Sequence, residues 1–387
     1  MPASAPPGGL SPVEHIPSDT TASGPQDGIA LCLSGGGYRA MLFHIGSLWR
    51  LYETGILKNI NRISSVSGGS ITAAVLGLAW RELSFTTGSI QTEFFPKVVV
   101  PIRRLASETI DAGAVIGGIL LPGTISDKIT AAYEKHLFGN KTLQDLPDDP
   151  PRFVINATNV QSGVLWRFMK PYMRDYRVGE VKSPTVKIST AVAASSAFPP
   201  VLSPLIMDLE DFTFVPGSGL DLQKEPYTTR VVLSDGGVYD NLGLETSYKR
   251  YKTILVSDAG GKIRAEEEPK EDWARHAYRV LDVIDNQVRS LRKRTLIAAY
   301  KHGDRTGAYW GIRTDIQDYE LADALACPVS KTMLLAETPT RLKRLDAVHQ
   351  ERLINWGYAV CDAAIRKHVN PNAQPAAHFP YQQSGVG

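Results

Sequence analysis

Short apolar runs rich in β-branched residues alternate along this chain with longer stretches in which apolar residues recur every three or four positions. The short runs predict β-strands, and the longer periodic stretches predict helices. Strands that alternate with helices are typical of a layered α/β fold with a mainly parallel sheet. The predicted strands are Ile29–Leu33, Ile63–Val66, Phe153–Ile155, Val186–Ile188, Val231–Leu233 and Ile254–Val256.

The clearest helical patterns follow the first two predicted strands and fill the C-terminal third of the chain. Residues 42–52 place apolar side chains at helical spacing, and Gly55 marks the end of that helix. Residues 70–83 are apolar on nearly every face, which predicts a buried helix. Residues 273–301 and 341–368 are long, periodic and rich in Arg and Lys, so we expect them to flank the sheet.

Composition divides the chain into one folded domain and two tails. Residues 1–27 lack periodicity and aromatic residues and are predicted to form a disordered N-terminal tail, and residues 370–387 are predicted to form a flexible C-terminal tail. The domain between them, residues 28–369, ends in the helical region. Two insertions near residues 97–150 and 206–228 interrupt its alternating pattern.

The overall composition excludes several classes of function. Hydrophobic residues make up 43% and charged residues 21%, as in ordinary globular proteins. The formal net charge of +2 is too small to indicate electrostatic binding of nucleic acid. The three cysteines show no paired spacing, so we expect them to be reduced. No leader of the secretory type opens the chain, which predicts a cytoplasmic protein.

The longest apolar stretch, Ala112–Pro122, is well short of the ~20 residues that a membrane-spanning helix needs. We therefore expect no transmembrane segment. Three glycines lie among its apolar residues, which suits a mobile lid or a contact with a lipid surface. A place in the core fits the composition of Ala112–Leu121 equally well.

A glycine-rich turn between the first predicted strand and helix is the first candidate for chemistry. In the segment Ser34–Ala40, the consecutive glycines Gly35, Gly36 and Gly37 let backbone N–H groups point toward one centre. Such a turn binds an anion, either a phosphate or the oxyanion of an acyl-transfer intermediate. A dinucleotide-binding protein would need an acidic residue after the second strand. That strand ends instead in Ser67.

A second glycine-rich turn follows the second predicted strand and contains a serine. Ser67 lies among small residues, with Ser65 before it and Gly68 and Gly69 after it. A sharp strand-to-helix turn with small neighbours exposes the central hydroxyl, as a nucleophile elbow requires. Ser67 is therefore the candidate nucleophile, although turns of this composition also serve as plain connections.

A third turn supplies a carboxylate. Asp235, followed by Gly236 and Gly237, closes the predicted strand 231–233. A side chain at the end of a parallel strand points into the crevice where α/β proteins bind ligands. A serine nucleophile needs a base within hydrogen-bond reach, so Asp235 is the candidate base. Asp258 also follows a predicted strand and is the alternative.

Histidine and metal chemistry receive no support from the sequence. His44 belongs to the first helix, and the histidines after Asp235 lie in or beside helical patterns. The spacing of His and Cys residues predicts no metal site. We also expect no cofactor.

The three turns together resemble the signatures of the patatin-like phospholipase family. The resemblance covers about residues 28–260 and implies a three-layer α/β sandwich. It also implies a lipid acyl hydrolase of the phospholipase A or lysophospholipase type, in which a Ser–Asp dyad cleaves fatty acyl esters without a histidine. The resemblance is carried by Ser34–Ala40, Ser65–Gly69, Asp235–Gly237, residues 41–53 and residues 194–200.

The resemblance assigns roles by position. It implies that Ser67 is the nucleophile and Asp235 the base, and that Gly36 and Gly37, with Gly35 as a further donor, form the oxyanion hole. It implies a membrane or micellar lipid as substrate and peripheral contact with a membrane. Some relatives need an activating ligand or partner, and none of these features requires nucleic acid.

Arg39 matches the basic residue that follows the glycines of the family; it would brace the loop, meet a substrate phosphate or form a packing salt bridge. Three positions depart from the family pattern, because Ser34 replaces an aspartate and Ala40 and Ser65 replace glycines. None removes a catalytic group, but Ala40 and Ser65 add side chains at turns that favour glycine. The alternative function is therefore a lipid-binding or regulatory module of the same fold with weak turnover.

Overall fold

The computed structural model describes residues 24–110, 124–148, 150–200, 202–261, 263 and 265–387. The apolar stretch Ala112–Leu121 and most of the predicted N-terminal tail lie outside these residues. Within the described ranges, none of the helices combines the length and the apolar character needed to cross a bilayer.

The described residues form one sheet of ten strands: β1 (Gln26–Leu33), β2 (Arg62–Ser65), β3 (Arg152–Asn159), β4 (Val164–Phe168), β5 (Tyr172–Asp175), β6 (Gly179–Lys182), β7 (Leu205–Asp208), β8 (Arg230–Asp235), β9 (Tyr251–Asp258) and β10 (Thr306–Gly311). Their order is β10-β9-β1-β2-β3-β4-β5-β6, and β8 pairs with both β3 and β7. The strands from β10 to β3 run parallel to their neighbours. The strands β4 to β8 pair with their neighbours in the antiparallel direction, on the β3 side of the sheet.

Helices connect and cover these strands. Longer helices follow β1, β2 and β9, as the sequence predicts. The α-helices are α1 (Gly37–Glu53), α2 (Gly68–Ala79), α3 (Val100–Ala106), α4 (Ile125–Tyr133), α5 (Ile188–Ser195), α6 (Gly237–Asp240), α7 (Glu245–Tyr248), α8 (Trp273–His302), α9 (Val329–Ala336) and α10 (Ala347–His368). π-helical segments lie at Ile90–Val99 and Glu134–Phe138, and 3-10 turns at Leu57–Asn59, Trp80–Glu82, Thr87–Ser89, Leu143–Asp145 and Ile316–Tyr319.

Side chains of β1 alternate between two apolar layers. Leu31 and Leu33 pack into the larger core with residues of α1 and α10, whereas Cys32 packs with Leu296 of α8. Successive side chains of a strand point to opposite faces, so helices cover both faces of the sheet. The predicted three-layer α/β fold with a mainly parallel central sheet is confirmed.

Helices α1 and α10 approach each other at two glycines. A Cβ on Gly46 would lie 1.9 Å from the carbonyl oxygen of Ile354, and a Cβ on Gly357 would lie 1.9 Å from that of Phe43. Only glycine permits this backbone contact. The contact presses α1, and with it the glycine-rich turn before it, against the core.

Strand β3 brings the ends of β2 and β8 together. Ser65 of β2 pairs with Ile155, and Asp235 of β8 pairs with Ala157. Both strands lie on the edge of β3 opposite β4, because β4 pairs along residues 155–159. The C-terminal ends of β2 and β8 therefore face each other, about 7 Å apart along β3. Asp235 thus ends an antiparallel strand, and the parallel strand that the sequence predicts there is wrong.

One further segment differs from the sequence predictions. Val186–Ile188 is not a strand; Lys187 makes one isolated bridge to Thr142, and α5 begins at Ile188. This short run leads into a buried helix, and periodicity over three residues does not distinguish that from a strand.

Residues 370–387, predicted as a flexible tail, are held on α10. The amide nitrogen of Asn355 donates to the carbonyls of Tyr381 and Gly385, at 2.8 and 2.7 Å. The guanidinium of Arg103 lies 4.7 Å from the centre of the Tyr381 ring. These contacts tie Asn355 and Arg103 to the segment, and its predicted flexibility stays a prediction.

Candidate active site

Ser67 lies in a sharp turn between β2 and α2. Its backbone has φ 51° and ψ −120°, a conformation that costs a residue with a side chain roughly 1–3 kcal/mol. A Cβ on Gly68 would lie 2.2 Å from the carbonyl oxygen of Gly37, and a Cβ on Gly69 would lie 2.5 Å from that of Leu33. The elbow therefore needs glycine at both positions, and its backbone packs directly on the glycine-rich turn.

The hydroxyl of Ser195 holds this elbow in place. It accepts a hydrogen bond from the Ser67 N–H at 3.0 Å and donates one to the Asn156 carbonyl at 2.6 Å. The bond from the Ser67 N–H fixes the backbone of the turn and does not involve the Ser67 hydroxyl. The sequence marks Ser195 only as part of a block that resembles the family. Its link to Ser67 spans 128 positions, and no local pattern indicates it.

Two of the departures from the family pattern are accommodated. The Ser65 hydroxyl donates to the Val154 carbonyl at 3.1 Å and accepts from Ser70 Oγ at 3.0 Å. The Ser34 hydroxyl accepts a hydrogen bond from the Ala259 N–H at 2.8 Å. Both added hydroxyls therefore have hydrogen-bond partners in their buried turns.

Asp235 is buried at the end of β8. Its Oδ1 accepts a hydrogen bond from the Gly237 N–H at 2.7 Å, whereas its Oδ2 has no hydrogen-bond partner in the part of the chain that the structure describes. Burial raises the pKa of this carboxyl to about 7, while the Gly237 N–H and the Ser67 hydroxyl lower it. A Cβ on Gly236 would lie 2.3 Å from the Asn156 carbonyl oxygen, which fixes the turn beside the base.

Ser67 and Asp235 line the same cleft, of about 470 Å³. Gly35, Gly36 and Phe198 line it as well. The structure thus brings together the residues that the three turns predict. They converge because β2 and β8 end at the same point on the edge of β3.

The three glycines of the first turn differ in what their N–H groups do. The Gly35 N–H donates to the Asn241 carbonyl at 3.1 Å, and the Tyr38 N–H donates to the Arg341 carbonyl at 3.1 Å. The N–H groups of Gly36 and Gly37 donate to no acceptor within the described residues. Gly36 has φ 143° and Gly37 has φ 59°, conformations that favour glycine. The Gly35 N–H is therefore committed to the loop, contrary to its predicted place among the oxyanion donors.

Asn241 also lines the cleft and was not singled out by the sequence. A Cβ on Gly35 would lie 2.4 Å from Asn241 Oδ1, and a Cβ on Gly237 would lie 2.9 Å from the same atom. Asn241 thus fills the space between the glycine-rich turn and the aspartate turn. The short helices α6 and α7 around it carry no motif that reveals this position.

Arg39 is buried behind the glycine-rich turn. Its Nε donates to the Ala259 carbonyl at 2.9 Å, and its Nη1 donates to the Thr338 carbonyl. Burial, aided by the nearby Arg289 guanidinium, lowers the pKa of Arg39 to about 10. These contacts brace two loops at the cleft, which favours the bracing role among the three that the sequence left open.

Replacing Arg39 by Met is expected to lower the free energy of unfolding by about 2–4 kcal/mol, because two buried carbonyls lose their donors. Chemical unfolding measures this change. Arg294→Met is the control, since Arg294 is exposed on α8, and exposed substitutions stay within about 0.5 kcal/mol. Equal stability of Arg39→Met and the wild type would contradict the bracing role.

Asp258, the alternative base, has both carboxylate oxygens engaged. Oδ1 accepts from the Gly260 N–H at 2.8 Å, and Oδ2 accepts from the Tyr309 hydroxyl at 2.7 Å. The pKa of Asp258 is lowered despite its burial, with Arg289 as the largest stabilising charge. This environment is that of a structural ion rather than a base.

His44 is buried with its ring between Ser34 and Ser257. Nε2 lies 2.9 Å from the Ser34 carbonyl oxygen, and Nδ1 lies 2.8 Å from Ser257 Oγ. Burial lowers the pKa of His44 to about 4, so the ring is neutral near pH 7. Within the described residues, no three His, Cys, Asp or Glu side chains gather so as to hold a metal ion.

The comparison with known families bears directly on these turns. The model of the family described as Patatin-like phospholipase matches residues 31–247, which include the glycine-rich turn, Ser67 and Asp235. The chain belongs to the patatin-like phospholipase family. Membership confirms the resemblance seen in the sequence, and patatin-like phospholipases as a family are lipid acyl hydrolases that act through a serine. No sequence among the curated proteins matches this chain.

Solved structures similar to this patatin-like chain include human GIVD cytosolic phospholipase A2, with 13% identity over 63% of this chain and 49% of that chain and a TM-score of 0.42. The same protein in complex with methyl gamma-linolenyl fluorophosphonate has 14% identity over 87% and 57%, with a TM-score of 0.49. VipD from Legionella pneumophila has 13% identity over 89% and 68%, with a TM-score of 0.35. The chain spans about half of the human phospholipase chains, and similarity at this level says nothing about substrate.

Proposed function

We propose that this protein is a lipid acyl hydrolase of the phospholipase A or lysophospholipase type, with Ser67 as nucleophile and Asp235 as base. One observation carries the proposal: a strained serine shares a cleft with a buried carboxylate, one oxygen of which has no hydrogen-bond partner in the described residues. A buried acceptor without a partner is costly. The proton that Asp235 takes from Ser67 would give this oxygen the partner it lacks.

The reaction begins when Ser67 Oγ attacks the carbonyl carbon of the ester and Asp235 takes the hydroxyl proton. A carboxyl with a pKa of about 7 suits this task, because a base works best when its pKa is near the working pH. The C–O bond of the tetrahedral intermediate then breaks. Asp235 returns the proton to the leaving alcohol, and the acyl group stays on Ser67.

The oxyanion of the intermediate needs donors that are oriented before the reaction starts. The N–H groups of Gly36 and Gly37 have no acceptor among the described residues and lie at the N-terminus of α1, where the helix dipole favours negative charge. We assign them as the oxyanion hole, without Gly35. Each such donor contributes on the order of 10²–10³ in rate.

Water completes the cycle. Asp235, ionised again, takes a proton from a water molecule as that water attacks the acyl-enzyme. The ester bond to Ser67 breaks, the serine regains its proton from Asp235, and a fatty acid leaves. The same carboxylate serves both half-reactions, so no histidine is needed.

Turnover is favoured over the alternative of a lipid-binding module with weak activity. That alternative rests on Ser34, Ala40 and Ser65 distorting the turns. The hydroxyls of Ser34 and Ser65 are hydrogen-bonded in place, and Ala40 is buried in helix α1. The elbow at Ser67 retains its left-handed conformation beside them.

Covalent labelling with a fluorophosphonate tests the proposal. We expect the probe to add once to the wild type, at a peptide containing Ser67, and not to add to Ser67→Ala. Intact-mass spectrometry and peptide mapping read both results. Equal labelling of Ser67→Ala would remove the proposed nucleophile. A panel of phospholipid, lysophospholipid and neutral glyceride, assayed for released fatty acid, then identifies the substrate.

The pH dependence of the reaction provides a second test. Because Asp235 acts as a base only when ionised, kcat/KM is expected to fall about tenfold for each pH unit below about 7. A stopped assay with a soluble ester over pH 5–9 measures the profile. Asp258→Asn is the control and is expected to keep the same midpoint. A flat profile down to pH 5 would contradict a base with a raised pKa.

A further inference from the structure

Helix α8 is amphipathic with its apolar side facing outward. Trp273, Leu281, Ile284 and Leu291 are 85%, 53%, 49% and 49% exposed. With Ala277, Val280 and Val288 they recur every three or four residues, with Val280 and Leu281 adjacent, which places them on one stripe of the helix. We call these seven residues, Trp273, Ala277, Val280, Leu281, Ile284, Val288 and Leu291, the α8 stripe.

The opposite side of the same helix lines the cleft that holds Ser67 and Asp235. Arg279, Asp282, Asp285, Asn286 and Arg289 all face that cleft. A helix on the surface of a globular protein normally turns its apolar side toward the core. In α8 the polar side covers the cleft and the apolar side meets solvent.

Only the C-terminal half of α8 is anchored in the core. Leu296 packs with Cys32 and Ile254, and the Tyr300 hydroxyl donates to the Ile254 carbonyl at 2.7 Å. Within residues 273–288 no side chain is buried. The α8 stripe therefore lies mostly on the half of the helix that has no buried side chain, beside the cleft.

We propose that the α8 stripe is the surface with which this protein docks on a lipid bilayer. The proposal deepens the proposed function and rests on it, because a cleft for lipid esters has to meet its substrate at a lipid surface. A helix that lies in the interface buries its apolar side among the acyl chains and keeps basic residues on its polar side. Helix α8 carries seven Arg and Lys against two Asp, and Trp273 at its start is a residue type common at lipid interfaces.

The area of the stripe favours lipid over a second copy of the chain. From Trp273 to Leu291 it is ~27 Å long, and one helix face is on the order of 10 Å wide. A stable protein interface needs roughly 800 Å² on each partner, about three times this area. A bilayer has no such requirement, because each inserted apolar side chain contributes separately. Docked in this way, the cleft lies about one helix diameter, ~10 Å, from the lipid.

Vesicle binding by Ser67→Ala tests the docking surface without any turnover. In that background, Leu281→Ser/Ile284→Ser is expected to weaken binding to phosphatidylcholine–phosphatidylglycerol vesicles at least about tenfold, because two large side chains no longer enter the bilayer. Val329→Ser/Leu334→Ser is the matched control. Val329 and Leu334 are 42% and 62% exposed on α9, outside the stripe, so binding is expected to stay within about twofold. Co-sedimentation measures both affinities.

Tryptophan fluorescence locates the contact. Vesicles are expected to shift the emission of Ser67→Ala to shorter wavelength, and Trp273→Phe is expected to abolish the shift. Equal vesicle binding by the two serine pairs, or a shift that survives Trp273→Phe, would overturn the proposal. The proposal would also be overturned if light scattering showed a dimer of the protein and Leu281→Ser/Ile284→Ser dissociated it. A second copy of the chain would then cover the stripe. Failure of the wild type to cleave a soluble ester would instead contradict the proposed function alone.

Discussion

Ser67→Ala is expected to lower kcat for ester hydrolysis by at least about 10⁴, because removing the nucleophile of a covalent mechanism leaves only binding and oxyanion stabilisation. The bond from the Ser67 N–H to Ser195 holds the turn and is unaffected by removal of the hydroxyl. Release of fatty acid from a lipid micelle measures the loss. The fold is expected to survive, because alanine keeps the Cβ that packs beside Gly35.

Ser65→Ala is the matched control for that change. Ser65 lies two residues away, is also buried, and donates to the Val154 carbonyl. Its loss is expected to cost about 1–2 kcal/mol of stability and to change kcat less than about tenfold. If Ser65→Ala abolished hydrolysis while Ser67→Ala retained it, the nucleophile would be misassigned.

The central part of the fold could be predicted because its sequence signals are local. Strands β1 and β2 are short segments that end in glycine-rich turns, α1 follows with helical periodicity, and α2 follows as a continuous apolar stretch. Strand β10 was not predicted, because Thr306–Gly311 contains two glycines and no β-branched run. Strands β5 and β6 are short and carry charged residues such as Arg174 and Glu180, which pair with each other at 3.3 Å in the buried sheet. Such pairing is a tertiary effect that overrides strand propensity.

The candidate site could be predicted in its reacting groups but not in their support. Ser67 and Asp235 stand in turns with recognisable composition. Ser195 and Asn241 act only through contacts between distant segments, such as the bond between Ser195 and the Ser67 N–H. The antiparallel direction of β8 also has no local signal. Strand β2 ends at Ser65 and leaves the rest of that edge of β3 free, and β8 pairs there in the antiparallel direction.

Several contacts together hold the Ser67 turn in its strained conformation. Ser195 takes its N–H, and the glycines at 68 and 69 let the turn pack on the carbonyls of Gly37 and Leu33. Strain of roughly 1–3 kcal/mol persists only where the surroundings over-determine it. The same contacts keep the Ser67 hydroxyl in the cleft that Asp235, the proposed base, also lines. Positioning and strain therefore have one structural cause.

Asp235→Asn is expected to lower kcat/KM by about 10³–10⁴, because the amide keeps the shape of the carboxyl but takes no proton from Ser67. Asp258→Asn is expected to leave kcat/KM within about tenfold, since Asp258 is held by Gly260 and Tyr309 away from the cleft. Steady-state assays with one soluble ester compare the two variants. A large loss in Asp258→Asn with an active Asp235→Asn would exchange their roles.

The Asp235→Asn variant is expected to be more stable than the wild type at alkaline pH. Burial raises the pKa of Asp235 from 3.8 to about 7, so between these values the folded state binds more protons than the unfolded state. The contribution of Asp235 to stability is therefore complete below about pH 4 and is lost as pH rises through about 7. Asn does not ionise, so the gain of Asp235→Asn is expected to reach about 2–4 kcal/mol at pH 8 and to disappear near pH 4. Urea unfolding at the two pH values measures it. A gain of the same size at both would mean that the charge of Asp235 is not what destabilises the fold.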